Sequence, residues 1–477
     1  MASSAEQEFL SAADPEATFL QHLRALINSG TSPLAPVSRA EWRPFRPLLM
    51  GYNGAGNVGS DVRVAEMLRQ FRKLFEHTGF DPGLVVIDRM TEPFFSSLRL
   101  VARDCYTPDF LAREVPRYDA VIACEGSMFT STFSDTLASG LAGSIAYAHR
   151  LGRPGIAYGA DGGKMTPALS EFISEVCTEN LLLCRNRETH HMLEAVGLRA
   201  RSGADTAWTF EPTGVDAREM LMAAGWDGQS RVIAICPVNP FWWPARVDFE
   251  KARAFQEDGR FADLHTRSVF FLSWSDDRAA KYERYLAALA GTIEALRKKG
   301  NFPILVAMDR LDTKSCAALS AALSSPIPQF VGLERGMNAT VAILRQASLV
   351  ISSRFHGTVF AIAGGVPVIG VTMDSRIRAL FAEHGLAKWM FECDSPDLPG
   401  GLLASSEELL RDADDVQHSY RTILTSQIRA FGRMGIDLVD ELMSSHPDFP
   451  APPLARSWDA HLPPISPRLE KILGAHS

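Results

Sequence analysis

The segment Ser352-Ser-Arg-Phe-His-Gly357 places a guanidinium, an imidazole and a glycine within a few residues of one another. The apolar run Leu349-Val-Ile351 precedes it, a small-residue helical pattern over 358–363 follows, and Gly364-Gly365 stops that pattern before a second apolar run. Arg354, His356 and the backbone of Gly357 therefore fall where a strand ends and a helix begins. Strand alternation, if it continued, would put Arg354 and His356 on one side and Phe355 on the other. A cation, an imidazole and free amide donors at that junction suit a small dianion with a proton to be moved. The plainer alternative is that Arg354 pairs with a neighbouring carboxylate and His356 is a core histidine. The sequence favours chemistry here, with His356 as acid and Arg354 as anion holder. His190-His191, by contrast, reads as an exposed helix surface.

A second stretch, Gly51-Tyr-Asn-Gly-Ala-Gly-Asn-Val-Gly-Ser-Asp61, carries the spacing Gly54-x-Gly56-x-x-Gly59 between an apolar strand and a helix. Glycines there would let a backbone approach a phosphate at a helix N-terminus. A nicotinamide site also asks for an acid roughly 20 residues on, at the end of the second strand. Here the second strand reads Leu84-Val-Val-Ile-Asp88, so the acid comes late. Asn53 and Asn57 also put amide side chains inside the loop. An anion- or substrate-binding loop is the preferred reading, a tight structural turn the next, and a dinucleotide loop the last.

Short apolar strands alternate with helical patterns on either side of these motifs. Strands are expected at 47–52, 84–88, 119–124, 154–159 and 181–185, then at 232–236, 303–308, 328–331, 348–353 and 366–371. Helices are expected near 61–78, 132–151 and 188–197. Such alternation predicts parallel sheets with helices on both faces. The division that follows is a helical extension over 1–45, one doubly wound domain over 46–215 and a second over 229–395. C-terminal helices over 400–445 and a proline-rich tail over 446–477 complete it. Ligands in such sheets bind beyond the carboxyl ends of the strands, in a cleft between the two domains. The region 238–278 interrupts the pattern with Asn-Pro-Phe-Trp242-Trp243-Pro and Trp274, an insertion expected to pack at a domain edge, with aromatic stacking on sugar as the second reading.

The 477 residues carry a net charge of -8 and no block of like charge, which argues against a nucleic-acid binder. Seven cysteines lie scattered without a C-x-x-C pair, which reads as buried thiols in a reducing compartment and argues against a zinc site. The N-terminal sequence lacks the basic and apolar regions of a signal peptide, and no apolar run reaches the roughly 18 residues of a membrane span. A cytoplasmic protein with at most peripheral membrane contact is expected. Its oligomeric state is not encoded in any motif.

The two motifs together resemble the polysaccharide pyruvyl transferase family. Its pattern Gly-Tyr-x-Gly-x-Gly-Asn-x-Gly-Asp is similar to residues 51–60, with Asp61 one place late. Its Ser-x-Arg-Leu-His-Gly, small helix and Gly-Val-Pro-Val-Ile resemble Ser352 to Ile369, with Phe355 for leucine. Leu183-Cys-Arg-Asn-Arg-Glu-Thr189, Leu193-Glu-Ala-Val-Gly197 and Gly203-Ala-Asp205 follow intermediate stretches, so the resemblance spans about residues 46 to 390. It departs at Cys124-Glu-Gly-Ser-Met128, where the family has a glycine run, and at Tyr158-Gly-Ala-Asp-Gly-Gly-Lys164.

The resemblance implies two Rossmann-like domains in the manner of the two-domain, GT-B-like glycosyltransferases. It implies transfer of the enolpyruvyl unit of phosphoenolpyruvate to two hydroxyls of one sugar, giving a ketal. Phosphoenolpyruvate is then the donor substrate, no metal or nicotinamide is required, and the acceptor is a glycan or a lipid- or nucleotide-linked sugar. His356 would protonate the donor and Arg354 hold its anion, with Gly357 beside them and Arg185 as a further cation. Asn53, Gly54, Gly56, Asn57 and Asp61 would floor the acceptor pocket, and Trp242, Trp243 and Trp274 would help select the acceptor. Glu125 joins the substrate-binding set, and Glu125 or Asp374 would supply the proton if His356 does not. A glycosyltransferase using a nucleotide-sugar, or a binding protein without chemistry, are the alternatives.

Overall fold

The computed structural model describes residues 3–30, 44–88, 90, 92–102, 107–257, 272–373, 375–446 and 448–474. The first sheet contains β1 (Pro47–Met50), β2 (Gly83–Val86), β3 (Arg99–Ala102), β4 (Ala120–Ala123), β5 (Gly155–Ala160), β6 (Leu181–Cys184) and β7 (Ala200–Ser202). Its strands are all parallel in the order β3-β2-β1-β4-β5-β6-β7. The second contains β8 (Val232–Cys236), β9 (Phe302–Ala307), β10 (Gln329–Val331), β11 (Leu349–Ser352), β12 (Val368–Thr372) and β13 (Met390–Glu392). It is parallel too, in the order β10-β9-β8-β11-β12-β13. The molecule is thus two doubly wound α/β units facing a cleft.

Inner strands such as β1, β4, β8 and β11 are buried along their whole length, which is why they read as unbroken apolar runs. Strand order reverses between β1 and β4 in one sheet and between β8 and β11 in the other. Those reversals open crevices at the carboxyl ends of the strands. The glycine loop leaves β1, Cys124-Glu125 leaves β4, and Arg354 leaves β11, so these three stretches sit at the two crevices.

The helices at Ser4–Ser11 and Pro15–Ser29 begin at Ser3 and Asp14, whose side chains accept backbone N–H bonds. The second buries Phe19, Leu20, Leu23 and Ile27 beside the helix Asp135–Arg150 of the first unit. Each such side chain contributes about 1.5–3 kcal/mol of burial. At the other end, helix Leu398–Arg411 packs on the second unit, and helix Asp414–Ser445 crosses back to the first. There Gln70 of helix Val58–Leu74 donates to the Phe431 and His461 carbonyls at 3.1 and 2.8 Å. Residues 448–474 continue over the same helix, and Lys73 holds the Leu462 carbonyl at 2.9 Å.

Six cysteines, Cys124, Cys177, Cys184, Cys236, Cys316 and Cys393, are buried free thiols, and Cys105 lies outside the described residues. Among the described residues no helix is long and apolar enough to cross a membrane.

Candidate active site

Ser352, the last residue of β11, turns the chain. Its Oγ donates to the Arg354 carbonyl at 2.7 Å and accepts from the Arg354 N–H at 3.1 Å. Helix Phe355–Gly364 starts there, with Arg354 as its N-cap. The helix therefore begins three residues before the expected 358, and strand alternation does not govern residues 354–356. Phe355 instead lies under Arg185, whose guanidinium is 4.2 Å from the ring centroid. Gly357 is a packing requirement, because a Cβ there would run into Ser352 Oγ and stand 3.0 Å from Met308 Sδ.

His356 projects from the first turn against Gly59 of the facing unit. A Cβ at Gly59 would meet the imidazole Nδ1 and Cγ and lie 2.8 Å from the His356 Cβ. The other ring nitrogen, Nε2, is 3.4 Å from Asp205 Oδ2, at ion-pair distance without a well-aligned hydrogen bond. Burial pulls the imidazole below its ordinary value; Asp205 pulls it back, and Arg63 and Arg185 push it down again. The balance leans toward the neutral ring.

Asp205 is the hub of this arrangement. Burial opposes its charge, but Arg63, His356 and Arg185 outweigh burial and hold the carboxyl far below the usual range. Arg63 Nε is 3.1 Å away, and Arg185 Nη1 donates to it at 3.0 Å. Arg185 also donates from Nε and Nη2 to Asp161 Oδ2, at 2.9 and 2.5 Å. All three of its nitrogens are engaged, so it buttresses the site more than it waits for an anion. Asp161, which stands in the altered glycine motif, is therefore the counter-charge of Arg185, and its Oδ1 accepts from Thr189, Asn186 and the Gly162 N–H.

Arg354 forks onto Asp312, its Nε and Nη2 donating at 2.5 to 3.1 Å. Burial works against this guanidinium, but Asp312 and Asp309 more than offset it and raise its pKa above the ordinary value. Among the described residues Nη1 of Arg354 finds no hydrogen-bond partner. Arg376, in helix Ser375–Glu383, reaches the same space, with its guanidinium 4.5 Å from the Phe133 ring centroid and 3.5 Å from Ser127 Oγ. Asp374 lies outside the described residues.

The glycine loop docks on the other unit. The Val58 N–H donates to the Met308 carbonyl at 2.9 Å, and the Arg310 N–H to the Gly56 carbonyl at 3.2 Å. Asn57 caps helix Val58–Leu74 through the Ser60 N–H and donates to Asp309 Oδ2 at 2.7 Å. Gly54 and Gly56 have φ of 73° and 77°, the left-handed turn that brings this about. Asn53 turns away, its amide held by the Val85 carbonyl at 3.1 Å. Asp61 lies behind the loop, where burial, Glu92 and Asp309 push its carboxyl up to about 7, and its Oδ1 has no hydrogen-bond partner.

These groups enclose a cavity of about 100 Å³. The first unit lines it with Tyr52, Asn57, Ser60, Glu125, Ser127 and Arg185, and the second with Asp309, Arg354, His356 and Arg376. Phe133, Leu137, Trp243, Ala245 and Leu311 form its apolar wall. Glu125 accepts from the Tyr52 and Ser127 N–H groups at 3.3 and 3.0 Å. Of the residues singled out in the sequence, Asn57, Glu125, Arg185, Arg354 and His356 meet in the cavity, with Gly54, Gly56 and Gly357 shaping its margins. Asn53 and Asp61 are not in its lining, and Trp274 is 50% exposed elsewhere. Sequence reasoning missed Asp309, Asp312, Arg63 and Arg376. Their common signal is weak: all but Arg63 follow the carboxyl end of a parallel strand, β9 or β12. Among the described residues, His190, His191 and Glu194 come close enough to share a metal ion, but they sit on helix Arg187–Ala195 and do not line the cavity.

The model of the family described as polysaccharide pyruvyl transferase matches residues 57–375, well over half of the chain. The protein belongs to the polysaccharide pyruvyl transferase family. No curated protein matches this family member in sequence. Many solved structures share its fold, among them three with a TM-score of 0.50. A putative UDP-N-acetylglucosamine 2-epimerase from Listeria monocytogenes is 11% identical, with 83% of this chain and 96% of that one covered and a TM-score of 0.50. The UDP-GlcNAc 2-epimerase from Neisseria meningitidis, bound to UDP-GlcNAc, is 10% identical over 84% and 100%, again with a TM-score of 0.50. HepE of Anabaena in complex with UDP-glucose is 12% identical over 84% and 99%, at the same TM-score of 0.50. The likeness shows a GT-B-like fold for this pyruvyl transferase family member.

Proposed function

We propose that this family member transfers the pyruvyl unit of phosphoenolpyruvate to two hydroxyls of one sugar, forming a pyruvate ketal and releasing phosphate. The observation that carries the reading is the convergence of His356, Arg354 and Arg376 in one small cavity where the two units meet. Arg354 Nη1 and the Arg376 guanidinium hold the donor's carboxylate and phosphate. Those negative charges reverse the balance at His356, since an opposite charge within about 4–6 Å favours the protonated ring. The imidazole thus takes up its proton as the donor arrives.

His356 then protonates the methylene carbon, leaving an oxocarbenium-like centre at the phosphate-bearing carbon. One sugar hydroxyl adds to that carbon, and its proton passes to Glu125, whose two oxygens are held by backbone N–H groups at the cavity wall. A second hydroxyl of the same sugar displaces phosphate and closes the ketal, its proton passing to His356 while the proton held by Glu125 leaves with the phosphate. Asp205 orients the imidazole throughout. The donor is a substrate, and these steps draw on side chains alone. The reaction would run in the cytoplasm, on a glycan or a lipid- or nucleotide-linked sugar, with no more than peripheral membrane contact.

Fold neighbours solved with UDP-GlcNAc or UDP-glucose favour a second reading, transfer from a nucleotide-sugar. Calorimetry with phosphoenolpyruvate and with UDP-sugars decides between them, followed by phosphate release and mass gain on incubation with glycans. Tight UDP-sugar binding with none for phosphoenolpyruvate overturns the proposal. Phosphoenolpyruvate binding without turnover on any glycan would favour a binding protein.

A further inference from the structure

The aromatic wall of the cavity is held by more contacts than packing alone requires. Trp243 and Phe133 meet edge to face with centroids 5.7 Å apart and both rings partly open to the cavity. Their strands of chain are tied together where the Ala245 N–H donates to the Phe133 carbonyl at 2.7 Å. Arg278 clamps the Phe241 and Trp243 carbonyls at 2.5 and 2.8 Å, and Ser273 Oγ donates to the Pro244 carbonyl at 2.6 Å. Arg246 reaches Glu16 of the N-terminal helix at 2.9 Å, and Phe249 meets Phe9 edge to face at 5.3 Å. The N-terminal helices therefore brace the segment that presents Trp243.

We propose that Trp243, backed by Phe133, is the platform on which the acceptor sugar lies, and that the acceptor is a neutral pyranoside offering an apolar C–H face. The inference rests on the transfer reading and deepens it. An aromatic face carries negative charge density and disfavours a phosphate or carboxylate, so the donor does not sit there. A pyranose pairs an apolar ring face with a rim of hydroxyls. The cavity supplies the complement, two rings beside the polar side chains of Ser60, Ser127, Ser134 and Glu125. The rings also lie near the arginines, Arg354 being 5.9 Å from the Trp243 centroid and Arg376 4.5 Å from that of Phe133. The competing role for the rings is thus to prop those two cations, and the test must separate the two.

Methyl β-galactopyranoside, methyl β-glucopyranoside and methyl β-mannopyranoside are followed by saturation-transfer NMR, without and with phosphoenolpyruvate, on the full-length protein. Trp243→Phe keeps a π face, whereas Trp243→Leu keeps apolar bulk without one. At least one glycoside should show saturation concentrated on ring C–H protons with the wild type and Trp243→Phe. That binding should weaken roughly tenfold in Trp243→Leu, with the phosphoenolpyruvate Kd unchanged within about twofold. No ring saturation of any glycoside with the wild type, or an equal signal in Trp243→Leu, overturns the proposal. A raised phosphoenolpyruvate Kd with glycoside binding kept also overturns it, assigning the rings to the arginines. A wild type that binds a glycoside through Trp243 but never phosphoenolpyruvate removes the transfer reading and leaves the platform standing.

Discussion

Gly59→Ala should inactivate the protein through His356 while leaving the backbone at ease. Gly59 sits in the first turn of helix Val58–Leu74 with no left-handed φ, so alanine fits its conformation. On helix preference alone the change stabilises by about 0.5–1 kcal/mol, toward the lower figure so near the terminus. Against that stands the new methyl, whose contact with His356 Cβ at 2.8 Å cannot be relieved by turning the ring alone. Overpacking of this kind costs typically 1–3 kcal/mol. The net change is a loss of roughly 0.5–2.5 kcal/mol, with the imidazole pushed from its place by Asp205. Loss of a positioned acid then lowers kcat by about 10²- to 10⁴-fold.

A double-mutant cycle makes the argument sharp. In a His356→Gly background no side chain is left to meet the new methyl, and the same Gly59→Ala change should become stabilising by about 0.5 kcal/mol. Urea unfolding of the four proteins gives the coupling, and phosphate release from phosphoenolpyruvate gives the activity. Additive stabilities, or a Gly59→Ala protein with wild-type kcat, would refute the contact and the role built on it.

Three further outcomes are expected. Burial makes His356 titrate below its unfolded value of about 6.5, so the unfolded chain binds more protons near that pH. Stability should therefore fall as pH drops through about 6.5, His356→Asn should flatten part of that slope, and phosphoenolpyruvate binding should take up a proton, read by calorimetry in two buffers. An Asp205→Asn protein leaves Arg63 and Arg185 buried with one carboxylate fewer and should lose roughly 3–5 kcal/mol in urea unfolding; a loss below 1 kcal/mol would show the hub to be dispensable. Arg354→Lys cannot fork Asp312 while holding an anion and should raise the donor KM roughly 10- to 100-fold with kcat nearly kept, an unchanged KM removing Arg354 from the donor.

The inner framework was legible because buried parallel strands must be apolar on both faces, as Leu349-Val-Ile351 and Val232-Ile-Ala-Ile-Cys236 are. The edge strands β3, β7 and β13 were not, since Arg99–Ala102 and Ala200–Ser202 lie largely exposed and need no apolar run. Arg354 and His356 were legible as chemistry because unlike polar groups crowd one strand end. Their partners were not: Asp309 and Asp312 follow β9, which is two strands from β11 across the sheet, and only the order of strands makes them neighbours. The glycine loop shows a different limit. Its spacing fits a phosphate, yet its N-terminal amide is taken by the Met308 carbonyl, a residue some 250 positions away that no local pattern reveals. Asp161 and Arg185 stood in stretches noted separately, and three-dimensional contact joined them into one ion pair.

The return of helix Asp414–Ser445 to the first unit bears on how the chain is made. As it leaves the ribosome, β7 is finished at Ser202, but Gln70 and the Ala204 N–H lack their partners, Phe431 and Met434, until far later. The interval is about 210 residues, on the order of 10–40 s at roughly 5–20 residues per second. Throughout that time the amino-terminal half carries an uncovered apolar flank, a natural hold for chaperones and a target for proteases. A helix made about 210 residues later is thus what closes the first unit.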